Sequence, residues 1–75
     1  MAGLRKTFGL VVRQLREDRA YTQEQLAERA HISRNYLGNI ERGEYNVTLE
    51  IVEQVANGLD LSMSALLFAV EQRRA

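Results

Sequence analysis

The 75-residue chain contains 10 lysines and arginines, 10 aspartates and glutamates, no cysteine and no proline. The balanced charge argues against a general polyanion binder, and the lack of cysteine excludes disulfides and thiolate metal sites. The length predicts one domain over residues 1–75. No apolar run approaches the roughly 20 residues of a membrane span, and the N-terminus lacks a signal-peptide pattern, so we expect a cytoplasmic protein.

The first predicted helix spans residues 8–19. Phe8, Val12 and Leu15 recur at helical spacing and define a stripe that faces the core. Residues 1–7 are expected to be frayed, as chain termini often are. Ala20 stands at the end of this helix, at a position that favours glycine.

The second predicted helix begins after Thr22. Thr22 and Gln25 have the spacing of a capping box, in which each side chain satisfies a free amide of the other residue. An apolar stripe at helical spacing follows, formed by Leu26, Ala27 and Ala30. The remaining positions are expected to form a solvated face, and they are Glu24, Gln25, Glu28 and Arg29.

A tight corner at residues 31–33 leads into the third helix, which we predict over residues 33–42. His31 is interpreted as a strained turn residue, because no second metal ligand or nucleophile lies nearby in the sequence. Ser33 caps the third helix, Leu37 and Ile40 face inward, and Gly43 ends it. Two short helices with such a corner form a helix-turn-helix.

The outer face of the third helix carries polar residues with the chemistry of DNA reading. Arginine can form two hydrogen bonds to guanine, and asparagine can form two to adenine. A solvated surface helix is the alternative, but the corner and the cap favour the DNA-reading interpretation. The outer residues are Arg34, Asn35, Tyr36, Gly38 and Asn39.

Two more helices are predicted. Thr48 caps the fourth helix, which ends at Gly58, and Ser62 caps a fifth helix over residues 62–72. Nearly all of residues 63–70 are apolar, yet a terminal helix of a small domain can bury only one face. We therefore expect a homodimer interface on this helix, formed by Met63, Leu67 and Phe68.

The motifs resemble the phage-repressor and Cro type of helix-turn-helix, the Xre-like regulators. The similarity runs from about Phe8 to Leu67, and its most specific part is the pattern TQ-x-x-LA, S-x-x-YL and IE-x-G. It implies an all-α, five-helix repressor-like DNA-binding domain with the helix-turn-helix in helices 2 and 3. The length is similar to that of restriction–modification controller proteins.

The resemblance also implies roles for individual residues. Arg34 and Asn35 would read bases, Asn39 would contact base or phosphate, and Gln23 would bind phosphate at the N-terminus of helix 2. Arg16 and Glu41 match a structural ion pair of the family. The full predicted DNA-binding set is Gln23, Ser33, Arg34, Asn35, Tyr36, Asn39 and Asn46.

These features predict a transcriptional regulator that binds double-stranded DNA as a homodimer on an inverted repeat. Residues 1–42 carry three more basic than acidic residues, whereas residues 43–75 carry three more acidic ones, so non-specific attraction to DNA is limited. The alternative is an antitoxin-type or other protein-interaction module. RNA polymerase or a toxin as a protein partner is left open. An enzyme is least favoured, since one histidine and no phosphate-binding loop leave little to carry catalysis, and no cofactor is predicted.

Overall fold

The computed structural model describes residues 3–74, and within them the chain folds into five α-helices and no strand. The helices are α1 (Leu4–Asp18), α2 (Gln23–Ala30), α3 (Arg34–Glu41), α4 (Leu49–Gly58) and α5 (Met63–Arg74). The predicted all-α class and the helix-turn-helix at α2 and α3 are therefore confirmed. None of these helices is both long enough and apolar enough to cross a membrane.

The starts of the helices α2 to α5 follow from side-chain caps. The Thr22 hydroxyl accepts from the backbone amide of Gln25, and the Gln25 side chain accepts from the amide of Thr22, which completes the predicted capping box. The hydroxyls of Ser33, Thr48 and Ser62 each accept from the backbone amide three residues later. These bonds satisfy amides that have no partner within the helix, so the predicted caps are confirmed.

The ends of helices α1 to α4 share one geometry. Shortly after each helix, one residue has a left-handed backbone, and the amide that follows it donates to a carbonyl five residues earlier. The left-handed residues are Ala20, His31, Gly43 and Asp60. His31, with φ 59°, is thus the strained turn residue that the sequence predicts.

The core lies between α1 and the other helices, with α2 packed on α4 and α1 packed on both α3 and α5. Its largest fully buried side chains come from all five helices and the α4–α5 connection: Val12, Leu26, Leu37, Ile40, Val55, Leu59, Leu66 and Val70. Partly buried Tyr21, Ile32 and Leu61, each just after a left-handed residue, pack against this core. The helix ends are thereby anchored to the core by side chains as well as by hydrogen bonds.

The prediction that residues 1–7 are frayed is wrong for the described part, because α1 begins at Leu4 and Thr7 is buried. Met1 and Ala2 lie outside the described residues. The cause is a close approach between helices: a Cβ on Gly9 would lie 2.4 Å from the carbonyl oxygen of Ile40. The first turns of α1 are therefore held against the end of α3.

Arg29 is exposed, as predicted for the solvated face of α2, but it also bonds to the end of α4. Its Nε donates to the carbonyl of Gly58 at 2.7 Å, and its terminal nitrogen donates to Asp60 at 2.8 Å. Its guanidinium also lies 4.8 Å from the ring centroid of Tyr21. Arg29 consequently joins α2 to the end of α4 by satisfying a carbonyl that the helix leaves unpaired.

Candidate nucleic-acid interface

The helix α3 presents its first turn outward. Its apolar residues Leu37 and Ile40 are fully buried, whereas Ser33, Arg34 and Asn35 are exposed. The division follows from helical spacing, because residues three apart on one face are covered by the same neighbouring helices. The exposed turn holds a guanidinium and a carboxamide next to each other, and these are the two groups best suited to base edges.

The middle of α3 is covered by neighbouring side chains. The prediction that Gly38 belongs to the open outer face is wrong, since Gly38 is buried. A Cβ at Gly38 would lie 3.3 Å from a terminal nitrogen of Arg42 and 3.9 Å from the amide of Gln23. The polar surface of α3 is thus divided into the first turn and the end near Asn39.

Three side chains are connected at the C-terminal end of α3. A terminal nitrogen of Arg42 donates to Oδ1 of Asn39, which is half-buried. The Nε of the same arginine lies 3.3 Å from a carboxylate oxygen of Glu44, the residue after Gly43. The sequence predicts Asn39 as a DNA contact. It does not predict the bond to Arg42, because the hydrophobic pattern carries no information about hydrogen bonds between polar side chains.

An aromatic pair joins α3 to the loop that follows it. The rings of half-buried Tyr36 and exposed Tyr45 lie 5.1 Å apart between centroids and are tilted by 46°. Such tilted aromatic pairs are favourable beyond the apolar area that they bury. Tyr45 therefore restricts Tyr36, and the loop carries exposed Asn46 next to this pair.

A buried network lies beneath the candidate interface. Arg16 donates to both carboxylate oxygens of Glu41, at 2.8 and 3.1 Å, and to the carbonyl of Tyr21 at 2.9 Å. Gln23 donates to Glu41 as well, at 3.0 Å. The hydrogen bonds to Glu41 raise the pKa of Arg16, against the opposing effect of burial, so the guanidinium stays charged.

Gln23 is not a free surface residue, because its side chain is part of this network. One amide hydrogen of Gln23 is used by Glu41, so one remains for a phosphate at the N-terminus of α2. The sequence suggests only the phosphate contact, and the bond to Glu41 depends on the tertiary approach of α2 and α3. Gln23 therefore links the buried ion pair to the candidate interface.

The helix α5 leaves an apolar surface on the other side of the domain. Phe68 is 64% exposed and Leu67 is 40% exposed. Phe68 borders two grooves, one with Val11 and Leu15 of α1 and the other with Leu4 and Leu67. Met63 does not line either groove; it is half-buried and lies beside Leu49 and two glutamates of α4.

Within residues 3–74, no group of three or more histidine or acidic side chains has the geometry to hold a metal ion. What the interface offers instead is hydrogen-bond donors and acceptors on an exposed helix turn. Those groups can recognise a polar ligand by hydrogen bonding.

Comparison with known proteins places these features in a family. The helix-turn-helix family model matches residues 12–66. The immunity repressor protein of Bacillus phage phi105 is 44% identical over 61 residues, which are 81% of this chain and 42% of the repressor. The control protein C.BamHI of Bacillus amyloliquefaciens is 37% identical over 65 residues, which are 85% of this chain and 80% of that protein.

The fold is similar to that of solved regulators. The crystal structure of the clp gene regulator ClgR from C. glutamicum has a TM-score of 0.90 and 31% sequence identity, covering 100% of this chain and 97% of that chain. This chain nevertheless spans less than half the length of the phage repressor that it matches. The shared part is the helix-turn-helix domain and the helices that pack on it.

Proposed function

Because the chain belongs to the Xre-like helix-turn-helix family, we propose that it regulates transcription by binding an inverted-repeat operator as a homodimer. In this proposal, α3 of each copy enters the major groove. Two such helices reach successive grooves when they lie about 34 Å apart, which corresponds to half-sites about 10 base pairs apart.

The observation that carries the proposal is the exposed first turn of α3. Arg34 and Asn35 are exposed at the start of a helix whose opposite face is fixed by Leu37 and Ile40 in the core. A rigid support is what base reading requires, because bidentate hydrogen bonds tolerate little error in position. We assign Arg34 to guanine and Asn35 to adenine.

Contacts to the DNA backbone would flank this turn. Gln23 and Ser33 lie at the N-termini of α2 and α3, where backbone amides and the helix dipole favour a phosphate. Tyr36 and Asn46 extend the polar surface toward the loop after α3. Since the net charge is zero, these few contacts supply limited non-specific affinity, and two subunits on one operator compensate for that.

The second subunit would be held through α5. Phe68 and Leu67 are large apolar side chains exposed on a helix whose other face, with Leu66 and Val70, is buried. A two-fold arrangement lets each Phe68 enter the groove beside the partner's α1, so both exposed surfaces are covered at once. Met63, which lies apart from these grooves, stays a peripheral candidate for the interface.

Selection of bound sequences from random duplex DNA tests the proposal. We expect a palindromic consensus from the natural chain, and we expect Arg34→Ala to lose base preference at one matched position in each half-site. A lost bidentate contact weakens discrimination there by about 1–3 kcal/mol. Arg13→Ala is the matched control, because Arg13 is an exposed arginine of α1 that lies outside the candidate interface.

Two results would contradict the proposal in different ways. A uniform loss of affinity with an unchanged consensus would make Arg34 a phosphate contact. No consensus at all, together with loss of a protein complex on substitution of Leu67 or Phe68, would instead favour the protein-interaction module.

A further inference from the structure

The bond between Arg42 and Asn39 determines which atoms of Asn39 remain for a ligand. A guanidinium has donors and no acceptor, so the atom of Asn39 that it meets has to be the carbonyl oxygen Oδ1. The orientation of the carboxamide follows from this chemistry. Both hydrogens of its amide nitrogen stay available, while one of the two lone pairs of its oxygen is used by a cation.

We propose that Arg42 biases Asn39 toward donating hydrogen bonds, so that Asn39 faces a guanine in each half-site; this rests on the proposed function. A free asparagine reads adenine by using its oxygen to accept from the adenine amino group and its nitrogen to donate to N7. With Arg42 beside Oδ1, the adenine amino group would approach a positive charge. Guanine offers two acceptors, N7 and O6, which match the amide hydrogens of Asn39 and the nearby cation.

Glu44 holds Arg42 in this position. Its carboxylate lies 3.3 Å from Nε of Arg42, which shares one edge of the guanidinium with the terminal nitrogen that meets Asn39. Both side chains are more than half exposed, so their ion pair contributes little to the stability of the fold. Glu44 is thus a positioning residue, and it also reduces the attraction of Arg42 to phosphates.

The inference is consistent with the placement of Asn39 on α3. Asn39 follows Asn35 by four residues, which places both on one side of the helix. Asn39 is only half-buried, and the glycine between them, Gly38, adds no side chain of its own. Asn35 and Asn39 are the same residue type on one face, yet only Asn39 has its oxygen bound to a cation, so they are expected to prefer different bases.

The test measures Kd for pairs of duplexes that differ only at the base pair read by Asn39, which the Asn39→Ala variant identifies by its loss of preference there. The natural chain should prefer guanine at this position. Arg42→Met removes the donors while keeping an extended side chain, and it should shift the preference toward adenine by about tenfold in the ratio of the two Kd values. Arg13→Met is the matched control and should leave that ratio unchanged.

Several outcomes would overturn the inference while the proposed function stands. They are an adenine preference of the natural chain at this position, an unchanged guanine preference in Arg42→Met, and an Asn39→Ala variant that loses preference at no base pair because Arg42 alone reads the base. Thermal unfolding of Arg42→Met should match that of the natural chain, since Arg42 is exposed. If the natural chain binds no duplex sequence-specifically, the proposed function fails and this inference fails with it.

Discussion

The side chain of Glu41 is 3% exposed, and its carboxylate accepts hydrogen bonds from Arg16 and Gln23. We predict that Arg16→Leu lowers the free energy of unfolding by about 3–5 kcal/mol, because it leaves a buried charge without its partner. Urea unfolding followed by circular dichroism measures this. A joint replacement of Arg16 and Glu41 by apolar residues should recover part of the loss, since no charge then remains buried.

The control for this prediction lies on the same helix. Arg13 forms an ion pair with Glu17 four residues later, and both side chains are about half exposed or more. Arg13→Leu should therefore change the free energy of unfolding by only about 0.5 kcal/mol. Equal effects of Arg13→Leu and Arg16→Leu would show that burial of the Glu41 pair has no energetic importance.

The backbone conformation of Ala20 leads to a second prediction. Its φ of 58° lies in the left-handed region, where a Cβ is unfavourable. Ala20→Gly should stabilise the fold by about 0.5–1 kcal/mol, as the relief of strain exceeds the added entropy of the unfolded chain. Ala65→Gly, an exposed position inside α5, should destabilise by a similar amount, and thermal melts of both variants test the contrast.

The residues that sequence reasoning places well are those whose roles are local. The caps Thr22, Ser33 and Thr48 need only a partner three residues away, so their spacing in the sequence is sufficient. The bonds of Arg29 to Gly58 and Asp60 could not be predicted, because these partners come from a distant segment. Gly38 is covered both by Arg42, four residues later, and by Gln23 of α2. The bond between Asn39 and Arg42 is local but leaves no trace in hydrophobic periodicity.

At the scale of elements, the approach of α1 to α3 decides how α3 is held. Gly9 lies where a Cβ would be 2.4 Å from the Ile40 carbonyl oxygen and 2.6 Å from that of Glu41. Gly9→Ala should separate the two helices and destabilise the domain by about 3 kcal/mol, because backbone atoms cannot move aside as a flexible side chain can. The measurement is the urea unfolding midpoint.

Gly3→Ala is the matched control for Gly9→Ala, since nothing lies within 4 Å of a Cβ at Gly3. It should leave the free energy of unfolding unchanged within about 0.5 kcal/mol. If Gly9→Ala also left the free energy of unfolding unchanged, α1 and α3 would not be in the close contact described above. A stable Gly9→Ala variant would also remove the explanation for the ordered start of α1.

This contact also explains which element boundaries can be predicted. Helices α2 to α5 begin where their caps indicate, because capping is encoded within four residues. The start of α1 at Leu4 has no side-chain cap and depends on packing against the end of α3, including Gly43 above Lys6. Periodicity within residues 1–7 cannot show a contact with residues more than thirty positions away.

At the scale of the whole molecule, the two polar ends of α3 and the apolar surface of α5 require different surroundings. The turn proposed to read DNA would have to remain exposed, whereas Phe68 and Leu67 expose apolar area that a monomer leaves in water. The proposed two-fold dimer would satisfy both, because it would cover α5 while leaving α3 free. The limited basic charge of the chain adds to this argument, as one copy alone makes few phosphate contacts.

We therefore predict that Phe68→Ser converts the proposed dimer into a folded monomer. Two copies of the ring are removed from one interface, which should weaken dimerisation by about 3–6 kcal/mol, while the monomer keeps its fold because Phe68 is exposed in it. Leu49→Ser is the matched control, since Leu49 is 72% exposed but lies in the groove beside Met63 and not beside Phe68. Sedimentation velocity over a range of concentrations should show monomers for Phe68→Ser and dimers for Leu49→Ser. Dissociation by Leu49→Ser alone would move the interface to α4, and a natural chain that is monomeric at every concentration, on and off DNA, would remove the dimer from the proposed function.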